Sequence, residues 1–265
     1  MLRVIEKSWN DFWAYYWRVE DRHRIPGIFE WDRKLVAFIE YTCQLKPPAR
    51  ILDLACGGGD QAKVFAEKGY EIVGIDIIPS LIEYAKAQFR EAGLKGSFAT
   101  GDMRKIEYNN EFDACVILSG SFGFFEYVED LELLCAIRSA LKPGGKTFIM
   151  FLSATHPPKH SRTWREIGDG WELDETWFDA ETRTRCGKTF IIRKDGTIVK
   201  PKKESGYYAD ERIRCYTMAE MRKMFSEAGL EYVSCYSDRH LDIPPKPLPT
   251  DAAINIIVGE RKAAG

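Results

Sequence analysis

Apolar positions change their spacing twice along this chain. Between residues 50 and 152, short apolar runs alternate with stretches whose apolar residues recur every three or four positions, as strands and amphipathic helices do when they take turns. The runs are Ile51-Leu52-Asp53-Leu54, Tyr70-Glu71-Ile72-Val73-Gly74-Ile75, Phe112-Asp113-Ala114-Cys115-Val116-Ile117-Leu118 and Lys146-Thr147-Phe148-Ile149-Met150-Phe151-Leu152, with a shorter one before Gly101. Between them the spacing predicts a helix over 60–68 stopped by Gly69, a second opened by a Ser80-x-x-Glu83 capping box and finished before Gly93, and a third over 129–141. Alternation of this kind builds a parallel, doubly wound sheet.

From 155 to 216 the pattern becomes one of turn-separated strands, with Asp195-Gly196 marking a hairpin. Thr217-x-x-Glu220 then caps a helix closed by Gly229, and the runs 230–236 and 254–258 add two final strands to the earlier sheet. The Pro-rich segment 243–249 is a stiff connector between those two. Residues 8–43 read as aromatic-rich helices that end at Lys46-Pro47-Pro48. The predicted fold is α/β: a doubly wound, Rossmann-like, seven-stranded, mostly parallel sheet. Its predicted parts are an N-terminal helical cap at 1–46, a core at 47–154 and 217–265, and an inserted antiparallel β lid at 155–216.

Composition narrows the partners. A chain of 265 residues suits one large domain with an insertion, and a net charge of −2 gathers no polyanion, so a small-molecule partner is expected and nucleic acid is not. Seven cysteines without a C-x-x-C pair, and only four histidines, predict neither zinc nor a disulfide framework, and point to reduced thiols in the cytoplasm. Polar residues Arg3, Glu6, Lys7 and Asp11 interrupt the N-terminus, and no apolar run reaches membrane-spanning length, so neither leader nor membrane anchor is expected.

The chemistry starts at Asp53-Leu54-Ala55-Cys56-Gly57-Gly58-Gly59, an acid at the end of a strand followed by glycines that open a helix. Glycine lets a ligand press against the backbone, and Asp76, ending the next apolar run, stands at the spacing of a ribose-binding acid. Because Gly57-x-Gly59-x-x-Ala62 also satisfies the dinucleotide fingerprint, these residues alone leave an NAD(P)-dependent oxidoreductase open.

With its neighbours the loop resembles the first motif of class I S-adenosylmethionine-dependent methyltransferases, an acid-x-Gly-x-Gly-x-Gly pattern in which Ala55 replaces one glycine. The resemblance covers about 45–152 and includes Gly101-Asp102-Met103, the fourth-strand run ending at Ser119, and Leu141-Lys142-Pro143-Gly144-Gly145 before the fifth strand. It implies S-adenosylmethionine as cofactor. Asp53, Ala55, Gly57, Gly59 and Ser119 would lie around its methionine half, Asp76 on the ribose, and Ile77, Asp102 and Met103 at the adenine. The lid resembles those of sugar-amine and glycine-type N-methyltransferases.

In such enzymes the acceptor attacks the methyl group in line, and positioning alone can supply roughly 7–11 kcal/mol. No nucleophile motif is present, as expected for direct transfer. The seven tryptophans fall in two segments, Trp9, Trp13, Trp17 and Trp31 in the cap and Trp164, Trp171 and Trp177 in the lid. Acceptor-site candidates are Phe122, Trp164, Trp171, Tyr208 and Arg214, although a ribbon also needs aromatics simply to pack. His156 and Tyr208 are candidate bases, and Tyr15 and Tyr16 candidates to close over the donor. A non-catalytic nucleotide-binding protein is the remaining alternative.

Overall fold

A computed structural model of the chain describes residues 3–16, 28–202, 211–249 and 251–263. In order, the elements are β1 (Val4–Lys7), α1 (Trp9–Tyr16), α2 (Ile28–Cys43), β2 (Arg50–Leu54), α3 (Asp60–Glu67), β3 (Glu71–Asp76), α4 (Pro79–Glu91) and β4 (Gly96–Thr100). A single 3-10 turn, Met103–Lys105, leads to β5 (Phe112–Phe122), α5 (Tyr127–Ala140) and β6 (Leu141–Leu152). Then come β7 (Ser161–Ile167), β8 (Gly170–Asp179), β9 (Thr184–Arg193), β10 (Ile198–Pro201) and β11 (Glu211–Arg214). The chain closes with α6 (Met218–Glu227), β12 (Glu231–Ser237) and β13 (Ile254–Glu260).

Seven strands form one sheet in the order β12-β13-β6-β5-β2-β3-β4, in which β13 alone runs against its neighbours. Alternate residues of each central strand serve opposite faces, as the two-residue period requires. Ile51, Ala114, Val116, Phe148, Met150 and Ile256 pack with α2, α3 and α4. Leu52, Leu54, Cys115, Ile117, Ile149 and Ile257 pack with α5 and α6. The sheet is therefore buried on both faces, which is why its strands read as continuous apolar runs rather than alternations.

The N-terminal segment differs from the expected helical cap. Its second helix, α2, belongs to the core layer: Leu35, Phe38 and Ile39 are fully buried, and Asp32 accepts a 2.7 Å hydrogen bond from Gln61 of α3. Its first residues form a strand, β1, that pairs in parallel with β10. Among the described residues of this segment α1 is the helix that sits over the second layer, with Phe12 and Trp13 packed on Ile78, Leu81, Ile167, Ile191 and Val199. Trp17, Lys203, Tyr207 and Tyr208 lie outside the described residues.

That second layer is a six-stranded sheet, β1-β10-β9-β8-β7 with β11 also on β9, antiparallel except for β1 on β10. The Asp195-Gly196 turn connects β9 to β10, with Gly196 at φ 81° and Thr197 N–H donating to Asp195 Oδ1 at 2.8 Å. The layer is pinned to the core where Arg214 N–H donates to Gly123 O at 2.7 Å. A Cβ at Gly123 would stand 2.5 Å from the Arg214 carbonyl oxygen, so the approach requires glycine there.

Two caps also differ from expectation. Helix α4 starts on Pro79 at its first position with no side-chain cap, not on a Ser80/Glu83 box. Helix α5 starts two residues earlier than predicted because Glu126 and Glu129 form a reciprocal box. The Thr217/Glu220 box is present. All seven cysteines are free thiols. Among the described residues no helix is long and apolar enough to cross a membrane, and no cluster of metal-ligating side chains occurs.

Candidate active site

The carboxyl-terminal ends of β2, β3 and β5 open onto a cavity of about 960 Å³ whose far wall is the second sheet and whose side is α1. Ligands of doubly wound sheets bind at this edge, because helix N-termini and loop amides converge there. On the core side the strand ends bring Asp53, Ala55, Gly57, Asp76, Ile77, Asp102, Met103 and Ser119 to the cavity. Gly59 caps α3 behind the loop at φ 81°, where an added Cβ would come within 3.1 Å of Ala85 Cβ.

Two non-glycine residues adopt left-handed backbone at adjacent strand ends, Ala55 at φ 57° and Ser119 at φ 55°. Such conformations cost of order 1–3 kcal/mol each and persist where the surroundings impose them, often at ligand sites. Asp76 organises the loop: Oδ2 accepts from Gly57 N–H at 2.8 Å and Oδ1 from Ile78 N–H at 2.9 Å. Burial raises its carboxyl, and the backbone donors partly offset that. Asp53, 3% exposed, is pushed up to about 8 by burial and then by the nearby Asp76. Among the described residues no cation pairs with either acid. A ligand carrying positive charge and ribose hydroxyls fits this donor set, and S-adenosylmethionine has both.

Asp102 is arranged differently from the simple adenine acceptor implied by the motif. Its carboxylate takes Arg104 Nε at 3.0 Å and Nη2 at 2.6 Å and caps the 3-10 turn through Arg104 N–H. The Arg104 hydrogen bond holds Asp102 below the usual carboxylate range. Met103 is buried below it, while Ile77 is 45% exposed on the cavity wall, open to a planar ring. Cys56 is no nucleophile: burial, then Asp53 and Asp76, push its thiol far up.

The acceptor-side expectations fare differently. Phe122 is fully buried against Tyr216, 5.7 Å between ring centroids. Arg214 pairs with Glu126 at 2.5 Å. Trp164, 71% exposed, and Trp171 are on the outer face of the second sheet, away from the cavity. His156 sits in the loop after β6, its N–H donating to Ser153 Oγ at 3.1 Å, and does not line the cavity. Tyr208 lies outside the described residues.

The cavity face of the second sheet is polar, for a reason of register. Along β8, Glu172, Asp174 and Thr176 share one face and Trp171, Leu173 and Trp177 the other. Thr163 of β7 and Thr189 of β9 flank Asp174 directly across the strands. Thr189 Oγ1 donates to Asp174 Oδ1 at 2.6 Å, and Tyr16 of α1 donates its hydroxyl to Glu172 Oε1 at 3.0 Å. Arg165 holds Glu172 Oε2 at 2.5 Å, and Arg185 pairs with Glu211. Burial, then the charges of Asp174 and Glu172, keep Tyr16 protonated as a donor. The sequence carried this signal in the period-two alternation Glu172-x-Asp174-x-Thr176.

Residues 51–145 match a family model described as a methyltransferase domain. The chain carries a class I S-adenosylmethionine-dependent methyltransferase domain. Its cofactor is S-adenosylmethionine. The ubiquinone biosynthesis O-methyltransferase of Xanthomonas axonopodis is 32% identical over 122 residues, 44% of this chain and 49% of that protein. The chain thus spans about half the length of this curated relative. In structure, CcbJ methyltransferase from Streptomyces caelestis aligns with a TM-score of 0.70 at 18% identity, covering 88% of this chain and 90% of that one. CalS10 of Micromonospora echinaspora, titled an amino pentose methyltransferase and solved with its methyl donor bound, aligns at 0.62 and 18% identity over 95% and 97%. At these identities the structural likeness shows a shared fold.

Proposed function

We propose that this protein transfers the methyl group of S-adenosylmethionine to the amine of a small polar acceptor, of the sugar-amine kind, held between the core sheet and the second sheet. The observation that carries this reading is the far wall of the cavity, where Thr163, Thr176, Thr189, Asp174 and Glu211 face the glycine loop. Hydroxyls and carboxylates recognise a hydroxylated cation, whereas a quinone ring needs an apolar slot. At about 960 Å³ the cavity is near the upper end of small-molecule sites, enough for the donor and one small acceptor.

Within that reading, Asp76 holds the ribose, the Gly57 amide and Asp53 surround the methionine half, and Ile77 and Met103 take the adenine. The cofactor supplies an electrophilic methyl group. The chain's residues contribute orientation and exclusion of water, with α1 closing one side through Trp9, Trp13 and Tyr16. Names among the relatives point to two acceptor classes, quinones by sequence and an amino pentose by fold, and the polar wall favours the second.

The test is a methyl-transfer assay read by mass spectrometry, with parallel panels of small amines (amino sugars, amino alcohols, diamines) and of hydroquinones and catechols. Methylation of members of the amine panel is expected. Methylation confined to the hydroquinones and catechols would reverse the assignment.

A further inference from the structure

We infer that Asp174 is the residue that binds the acceptor's ammonium group and takes its proton; this rests on the amine reading above. Three carboxylates stand on or behind the cavity's far wall, and they are not equivalent. Glu172 is bound by Tyr16 and Arg165, and Glu211 by Arg185. Asp174 receives one neutral donor, Thr189 Oγ1 at 2.6 Å, and among the described residues no cation pairs with it. Glu172, a like charge, is within side-chain hydrogen-bond reach of it, and Arg165, which is bound to Glu172, acts on it through charge without pairing with it. An ionised Asp174 is therefore short of a positive partner, and the open side from which one can arrive is the cavity it lines.

A second, separate feature of the same cavity points to a ligand. Trp13 lines it at 4% exposure, and its indole N–H has no acceptor among the described residues. A buried N–H left without an acceptor costs roughly 1–3 kcal/mol, so the site is completed by a molecule that brings a hydroxyl or ether oxygen. One ligand with an ammonium for Asp174 and an oxygen for Trp13 satisfies both.

The step balances as follows. The ammonium gives one proton to the Asp174 carboxylate, leaving a neutral amine and a neutral acid. The amine lone pair forms the N–C bond to the methyl carbon, the C–S bond breaks, and its electron pair stays on sulfur. The products are a methylated ammonium, S-adenosylhomocysteine and protonated Asp174, with one net positive charge before and after. Groups facing Asp174 set its readiness for this. Burial, then Glu172, raise its carboxyl above the ordinary carboxylate range, with Glu211 adding to this, while Thr189 lowers it. Burial keeps Tyr16 protonated, and against its own burial Arg165 is held above its ordinary value by its hydrogen bond to Glu172, with the charge of Asp174 adding to this. A base raised in this way retains the proton near neutral pH better than an exposed Asp does.

The experiment compares wild type with Asp174→Asn and Asp174→Glu on the amine panel, after S-adenosylhomocysteine affinity has been measured for each by calorimetry. Expected are unchanged S-adenosylhomocysteine binding, a fall in kcat/KM of about 10²–10⁴ in the Asn variant, and loss of the acidic limb of its pH profile. Partial recovery in the Glu variant is also expected. An Asn variant with near wild-type turnover and an intact acidic limb would overturn the role of Asp174 and leave the amine reading standing. Turnover of hydroquinones alone by wild type would overturn both. For the second contact, Trp13→Phe keeps the ring and removes the donor; it is expected to raise KM for hydroxylated amines more than for alkyl amines, and an equal effect on both would remove that contact.

Discussion

Asp76→Ala is the substitution whose consequences the geometry defines most fully. Its carboxylate accepts two backbone hydrogen bonds, at 2.8 and 2.9 Å, and is 8% exposed, so truncation leaves the Gly57 and Ile78 N–H groups without their acceptor. Hydrogen bonds to a charged group contribute ~1.5–3 kcal/mol each. Removing a buried carboxylate returns part of that by relieving its desolvation, so the expected net loss of stability is about 2–4 kcal/mol. For a chain near this size each kcal/mol moves Tm by roughly 2–4 °C, giving a fall of ~4–16 °C for the free protein. Donor affinity should fall by at least ~100-fold, about 2.7 kcal/mol, because the ribose bonds and the placement of the Gly57 amide go together. Differential scanning calorimetry and titration with S-adenosylhomocysteine read the two effects separately. A variant with unchanged Kd for S-adenosylhomocysteine would refute the placement of the ribose at Asp76, whatever happened to its Tm.

Other outcomes follow from single residues. Burial, then the neighbouring Asp76, pushes the Asp53 carboxyl of the folded free protein up to about 8, against ~3.9 for an ordinary Asp. The stability linked to its protonated form is thus complete below pH ~4 and lost as pH rises through about 8. Asp53→Asn should accordingly flatten the decline in Tm between pH 5 and 8.5 in scans of free protein, and an identical decline in both proteins would contradict the burial argument. Gly74→Ala places a Cβ 2.6 Å from Phe98 Cδ1 and 2.8 Å from Cys56 Sγ, and chemical denaturation should show it about 1–3 kcal/mol less stable. Trp171→Ala should leave acceptor KM unchanged, since the ring is on the outer face of β8; a several-fold rise would return that ring to the acceptor site.

Much of the core was legible because a sheet buried on both faces leaves uninterrupted apolar runs, as at Val116-Ile117-Leu118, and because loop acids and glycines mark strand ends. The seven strands of the core sheet followed from those runs, and the methyltransferase domain and its cofactor from the resemblance carried by the Asp53 to Gly59 loop and its neighbours; the order of the strands came from the structure. The acceptor side was harder to read because aromatic content drew attention to Trp164 and Trp171, while the two-residue period of β8 turns Asp174 and Thr176 to the cavity, with Glu172 on the same face behind its wall. Phe122 misled for a related reason: it follows the fourth strand's active edge, yet the left-handed residues Ser119 and Gly120 turn it into the core beside Tyr216. The N-terminal segment divided between two layers because α2 carries an apolar face for the core, whereas β1 is too short to announce itself and exists through its pairing with β10.

Calorimetric titration of the free protein with S-adenosylhomocysteine, beside NAD in the same buffer, tests the central claim most directly. Saturable binding of S-adenosylhomocysteine with no heat from NAD is the predicted result. Saturable binding of NAD with none of S-adenosylhomocysteine would contradict it, and would mean that the acids at the ends of β2 and β3 hold a different nucleotide.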